Sequence, residues 1–145
     1  MSGENKRIVN RFPLEVFNEG KVDVVDEIQA PDMIEHQAPL PGYSPDIAGF
    51  KQFVRDYRAA FPDLHYEILS ELEEGDLVAT VAQASGTMKG DMMGMPATGK
   101  QARWTEIHVA RIRDGKCVEH WGVIDQMGML MQLGLAPVPS GAPAG

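Results

Sequence analysis

Apolar and polar positions alternate between two periods along this chain. Residues 4–19 place Ile8, Phe12, Val16 and their neighbours at helical spacing, with Phe12 and Val16 on one side. Pro13 falls inside that pattern and lacks a backbone donor, so a kink or a late helix start is expected. Gly20 is a plausible stop, and Val22–Gln29 forms a second short helical segment. The Pro-rich run "APDMIEHQAPLPGYSPD" reads as a loop with a short strand at Met33–His36. From Asp46 to Ala60, helical spacing returns through Ile47, Phe50, Phe53, Val54 and Tyr57, with Asp46 as N-cap. Strand character follows at Leu64–Leu72, Leu77–Met88 and Arg103–Arg113. "HVARIRDGKCVEHW" sets Asp114-Gly115 between two alternating runs, the strongest short-range hairpin cue. A short helix from about Gln126 to Leu133 comes next. Helices first and antiparallel strands second imply an α+β fold, with helices covering one face of a curved sheet.

No internal repeat or linker divides the chain, so residues 1–136 read as one domain. Residues 137–145 read as a disordered tail rich in Pro, Gly and Ala. With 145 residues, 43% of them hydrophobic, one core can close. A net charge of −8 without a basic face argues against a nucleic-acid partner. No apolar run approaches the ~20 residues of a membrane span, and the N-terminus lacks a signal-peptide core, so a soluble cytoplasmic protein is the default. Cys117 is the only cysteine, which excludes an internal disulfide and thiolate clusters.

The final hairpin carries the candidate chemistry. A two-residue turn pairs Arg113 with Lys116, and outward counting pairs Ala110 with Glu119, His108 with Trp121, Glu106 with Val123 and Trp104 with Asp125. One face then gathers Trp104, Glu106, His108, Trp121 and Asp125. Thr105, Ile107, Val109, Arg111, Val118, His120 and Ile124 fall on the other face. Aromatic walls around an acid and an imidazole suit a small-molecule pocket, and an apolar setting tunes a carboxylate toward proton transfer. A one-residue slip would send Asp125 and His120 to opposite roles. Asp125 also directly precedes a helix, where Asp is a favoured N-cap, and capping alone would account for it.

The run "GMPATGKQARWTEIHVARIRDGKCVEHWGVIDQMGMLMQLG" resembles the C-terminal half of the SnoaL-like polyketide cyclases, or ester cyclases. The looser N-terminal match rests on Phe17-Asn18 and "DMIEHQAP" with His36. The resemblance implies a cone-shaped α+β barrel of the nuclear transport factor 2 type, oligomeric as a dimer or tetramer. It implies an enzyme without metal or cofactor that closes a ring of an apolar carbonyl substrate by aldol chemistry, with Asp125 as general base and acid. His108 would assist Asp125. Trp104, Trp121, Glu106, His36 and the loop methionines Met92 and Met95 would line the substrate site. Pro13 interrupts the helix that often lines that pocket, and the Met-rich loop departs from the family's bulkier residue. An isomerase or epoxide hydrolase on the same fold, or a non-catalytic binding domain, are the alternatives. His65 reads as a solvent-facing strand residue, His120 as structural and Arg103 as a strand-end residue. No metal-binding spacing and no phosphate-cradling loop occurs.

Overall fold

A computed structural model describes residues 3–37 and 41–137. The helix at the start, α1 (Glu4–Arg11), does not break at Pro13. It widens into a π-helical turn over Phe12–Phe17 with Pro13 in its first turn, and the Asn18 N–H closes on the Pro13 carbonyl. Widening accommodates the residue that cannot donate. Gly20, at φ 72°, ends the run in the left-handed region that glycine tolerates. A 3₁₀ turn (Val22–Val24) leads into α2 (Val25–Ile28), then β1 (Gln29–Glu35). The expected strand at Met33–His36 thus begins four residues earlier. Pro31 fits within it because β1 lies at the sheet edge.

The amphipathic α3 (Ile47–Ala60) starts where expected: Asp46 caps it, accepting from the Gly49 N–H at 2.9 Å. Four long strands follow: β2 (His65–Glu74), β3 (Leu77–Thr87), β4 (Gln101–Arg113) and β5 (Lys116–Ile124). The chain then closes on α4 (Gln126–Leu133). The sheet order is β1-β5-β4-β3-β2, antiparallel throughout except that β1 runs parallel to β5. The α+β fold and the curved sheet expected from the sequence are present. Of the expected 137–145 tail, all but Pro137 lies outside the described residues.

Alternation along β3 is strict, with Val78, Thr80, Ala82, Ala84, Gly86 and Met88 buried on one face. The N-terminal helices cover that face at one end through Ile8, Val9 and Phe12. At the other end Tyr57, Phe61, Leu64, Tyr66, Met88 and Trp104 form the largest cluster, closed by Leu133 of α4. Gly86 permits this packing, since a Cβ there would approach the Phe61 ring at 3.0 Å. Asn18 ties the helical start to the sheet. Its side chain accepts from the Tyr66 N–H at 2.6 Å and donates to the Tyr66 carbonyl at 3.0 Å.

The hairpin turn forms as expected, with Asp114 and Gly115 both at positive φ (52° and 77°) and Arg113 opposite Lys116. The register then departs from the regular count. Cys117 faces Ile112 but Glu119 faces Arg111, so Val118 is an extra residue and β5 carries a bulge. Beyond it Ala110 pairs with His120, His108 with Gly122 and Glu106 with Ile124. Each residue from Glu119 onward therefore takes the face opposite to the one expected. Regular pairing would aim the Glu119 carboxylate at buried Ala110. The bulge turns it outward, where Arg111 Nε donates to it at 2.9 Å. Ile124, expected outside, packs on the Trp104 cluster, while Val123 lies exposed.

Val16, Val24, Val25, Ile28 and Val54 form the seam between α2, α3 and the π-helical turn. Ile28 is 1% exposed. Ile28→Ala is expected to lower the unfolding free energy by about 2–5 kcal/mol, the usual cost of a large aliphatic truncation in a core. Urea denaturation followed by far-UV circular dichroism measures it.

Candidate functional site

Glu106 projects from the middle of β4 into the core and is 3% exposed. A carboxylate there must be hydrogen-bonded, because desolvation without partners costs several kcal/mol. Three donors meet it. The Tyr66 hydroxyl from β2 donates to Oε2 at 2.9 Å, and the Trp104 indole N–H reaches the same oxygen at 2.9 Å. His108 Nε2 lies 2.8 Å from Oε1. One residue of strand separates Trp104 from Glu106 and Glu106 from His108, so the pleat alone sets all three on one face. Burial pushes the Tyr66 hydroxyl well above its ordinary range, with the charges of Tyr57 and Glu106 adding to it. Burial also raises Tyr57, beside the same carboxylate. Both phenols therefore remain protonated donors at neutral pH.

The connection does not end at His108. Its Nδ1 lies 2.9 Å from His120 Nε2, and the two rings meet edge to edge, with centroids 5.1 Å apart and planes inclined by 24°. His120 Nδ1 in turn meets the Glu35 carboxylate of β1 at 2.7 and 2.9 Å. The Gln37 N–H holds Glu35 Oε1 at 2.9 Å. Gly122 makes the pairing of the imidazoles possible. A Cβ there would lie 2.7 Å from His108 Nδ1 and 2.9 Å from His120 Cε1. Along this series the side chains are 4% exposed at Glu106, 28% at His108, 18% at His120 and 36% at Glu35, so the ends are the most buried and the most exposed members.

The bulge redistributes the residues expected at the site. Trp104, Glu106 and His108 come together as expected. Trp121 does not join them: it lies on the other face, where His36 stacks on it at 4.7 Å and 8°. His36 is tied there by Glu119 at 2.8 Å, away from the inner face. That same pair with His36 holds Glu119 below the usual carboxylate range, and Arg111 lowers it further. His120, expected on the outer face as a structural residue, takes the inner position that the regular register gave to Trp121. Asp125 is not in an apolar setting opposite Trp104. It is exposed, and its backbone N–H continues the ladder to the Thr105 carbonyl. Its Oδ1 accepts from the Gly128 N–H at 3.0 Å, an N-cap of α4. Met92 is buried in the Trp104 cluster and paired by backbone hydrogen bonds with Met95, which packs against the same cluster.

Four contributors escaped the sequence reading: Tyr66, His120, Glu35 and Gly122. Tyr66 and Glu35 reach the site over 40 and 85 residues of chain. No local signal marks them, although "EHWG" holds both the second imidazole and the glycine that admits it. Arg103 and His65 are exposed strand residues. Arg103 exchanges backbone hydrogen bonds with the Gln132 side chain of α4 at 2.8 Å each. Cys117 is buried, and burial pushes its thiol up to about 12, which removes it as a nucleophile. Among the described residues no group of histidines and acids is arranged to hold a metal ion. No described helix is long and apolar enough to cross a membrane. Two open clefts lie elsewhere on the surface. One, of about 480 Å³, is lined by Asp32, Ile34, Arg111 and Glu119. The other, of about 350 Å³, lies between Asp63, Gln101, Arg103 and Gln132.

The capping geometry yields an expected outcome. Asp125→Ala should cost about 0.5–2 kcal/mol of stability, and Asp125→Asn much less, because Asn caps nearly as well. Thermal or denaturant unfolding of both variants measures the difference.

The fold and the sequence are shared with known proteins. The family model described as SnoaL-like polyketide cyclase matches residues 7–133. The aklanonic acid methyl ester cyclase of Streptomyces sp. (strain C5) is 34% identical over 139 residues, covering 90% of this chain and 83% of that protein. The nogalonic acid methyl ester cyclase of Streptomyces nogalater is 33% identical over 119 residues, 81% of this chain and 89% of that one. Among solved structures, IdmH of Streptomyces antibioticus, a putative polyketide cyclase, superposes with a TM-score of 0.76 at 34% identity, covering 90% of this chain and 98% of its own. TsrD of Streptomyces laurentii superposes with a TM-score of 0.82 at 25% identity, over 94% and 98%. A family model that spans nearly the whole helix-and-sheet unit, with relatives a third identical across most of it, settles the kinship: the chain belongs to the SnoaL-like polyketide cyclase family.

Proposed function

We propose that this protein is a cofactor-free cyclase that closes a ring of a polyketide-type ester by general acid–base catalysis, with the His108–Glu106 pair handling the proton. The observation that carries the reading is the buried carboxylate of Glu106, fully supplied with donors and joined at 2.8 Å to an imidazole with a part-exposed side chain. An imidazole backed by a buried carboxylate is held in one tautomer and orientation, and its conjugate cation is stabilised. His108 Nδ1, on parting from His120 Nε2, accepts a proton from a carbon next to a carbonyl. The resulting enolate attacks a second carbonyl of the same molecule, and the proton returns to the new alkoxide. No atom enters or leaves, so the protein need supply only a proton shuttle and a folded substrate. Holding the two carbons together is worth much of the barrier.

This assignment differs from the one that the family resemblance suggests, in which Asp125 is the base. An exposed helix cap has no apolar surroundings to tune it toward proton transfer. We assign Asp125 to the cap and the proton to His108. Proximity to the methyl ester cyclases supports polyketide acid methyl esters as the substrate class. We further assign a second copy of this chain to the outer sheet face, where paired Ile107 and Val123 stand 44% and 66% exposed.

The test is turnover of aklanonic and nogalonic acid methyl esters, followed by the absorbance of the cyclised product. His108→Gln and Glu106→Gln should each lower kcat by about 10²–10⁴-fold, the range for loss of a general acid–base group. Asp125→Asn should retain most of it. The opposite ranking returns the base to Asp125. Binding of either ester without turnover in the wild type would make the protein a binding domain on this fold.

A further inference from the structure

Three hydrogen bonds join four titratable groups in series: Glu106 to His108, His108 to His120, and His120 to Glu35, at 2.8, 2.9 and 2.7 Å. Each of the three gaps needs one proton. Ionised carboxylates have none to give, and a neutral imidazole carries one. Two neutral imidazoles thus fill two gaps and leave the third as two lone pairs facing each other. We infer that the chain Glu106–His108–His120–Glu35 holds one proton beyond two neutral imidazoles and two carboxylates. Glu35 is accordingly the solvent end of a relay that moves protons to and from buried Glu106.

The surroundings fix where that proton sits. Glu106 already receives the Tyr66 hydroxyl and the Trp104 N–H, so it faces His108 as an acceptor. His108 then donates from Nε2 and accepts at Nδ1. His120 donates from Nε2 to His108 and must also carry a proton at Nδ1, toward Glu35. Among the described residues no other side chain makes a hydrogen bond to either ring. Thr80, opposite His108 on β3, gives its hydroxyl to Glu71 at 2.9 Å, and the Gln37 N–H holds Glu35. The positive charge is therefore shared between His120 and His108 and lies between the two carboxylates. The proton that Glu35 passes to His120 Nδ1 fills the third gap, and from there charge moves inward by two short transfers: His120 Nε2 to His108 Nδ1, and His108 Nε2 to Glu106 Oε1. Each gap holds one proton before and after, and no ring turns.

Glu35 and His120 are thus positioning and relay residues behind His108. Their role in turnover rests on the proposed cyclase reading, whereas the proton count does not. Gly122 is the residue that permits the link, as a Cβ there would press on both rings.

Nitrogen-15 NMR of the histidine rings at neutral pH counts the protons directly. The relay predicts three ring N–H groups over His108 and His120: Nε2 of His108 and both nitrogens of His120. Glu35→Gln should reduce His120 to a single N–H, because the amide can itself donate to Nδ1, with the circular dichroism spectrum unchanged. Gly122→Ala keeps both carboxylates but should abolish the His108–His120 coupling. With an ester that the wild type turns over, Glu35→Gln should lower kcat more than it changes KM. Two ring N–H groups in the wild type, or an unchanged His120 in Glu35→Gln, overturns the relay. Three N–H groups together with no turnover of any ester leaves the proton chain intact and refutes the cyclase reading alone.

Discussion

A carboxylate withdrawn from water has to be met by donors, and Glu106, 3% exposed at the middle of β4, imposes that demand on everything around it. Tyr66 comes from the neighbouring hairpin, Trp104 and His108 from the same strand face, and His120 and Glu35 extend the line to solvent. Removing one member of such a network costs more than its own hydrogen bond, since its partner is left buried and unpaired. The bulge at Val118 serves this demand. It brings His120 and Gly122, rather than Glu119 and Trp121, to the inner face.

The same bulge sorts the charges of the hairpin. Outside it, Arg111 bridges Glu119 and Asp76 at 2.9 and 2.7 Å, and His36 covers Trp121. Inside it, the imidazoles meet edge to edge beside the space that a glycine leaves. A sheet with one solvated and one covered face admits only one side chain at each crossing. A single extra residue therefore exchanges two complete sets of side chains between the faces. It also separates the two clusters of histidine and acid that an unbulged strand would mix.

Much of the fold was legible in the chain. Helical spacing located α1 and α3, period-two alternation located β2 to β4, and "DG" located the turn, because each of these signals is local. Asp46 and Asp125 both stand where a cap was expected. The first strand was seen only in part. Gln29 and Ala30 are buried by parallel pairing to β5, a partner nearly ninety residues away that no local pattern reveals. The site was half legible. Trp104, Glu106 and His108 share a face by strand period alone. Neither glycine nor proline marks the bulge, and past it the regular count assigned Trp121, His120 and Asp125 to the wrong faces. Tyr66 and Glu35 are brought in by tertiary pairing. The family resemblance supplied the fold and left the strand register to be determined by the structure.

Since the register of β5 decides which side chains meet Glu106, the most direct measurement is of cross-strand backbone NOEs between β4 and β5 in the full chain. Contacts linking Ala110 with His120 and His108 with Gly122 are the result predicted here. Contacts linking Ala110 with Glu119 and His108 with Trp121 would contradict it. They would place Trp121 and Asp125 on the inner face, break the His108–His120 link and dissolve the site described above.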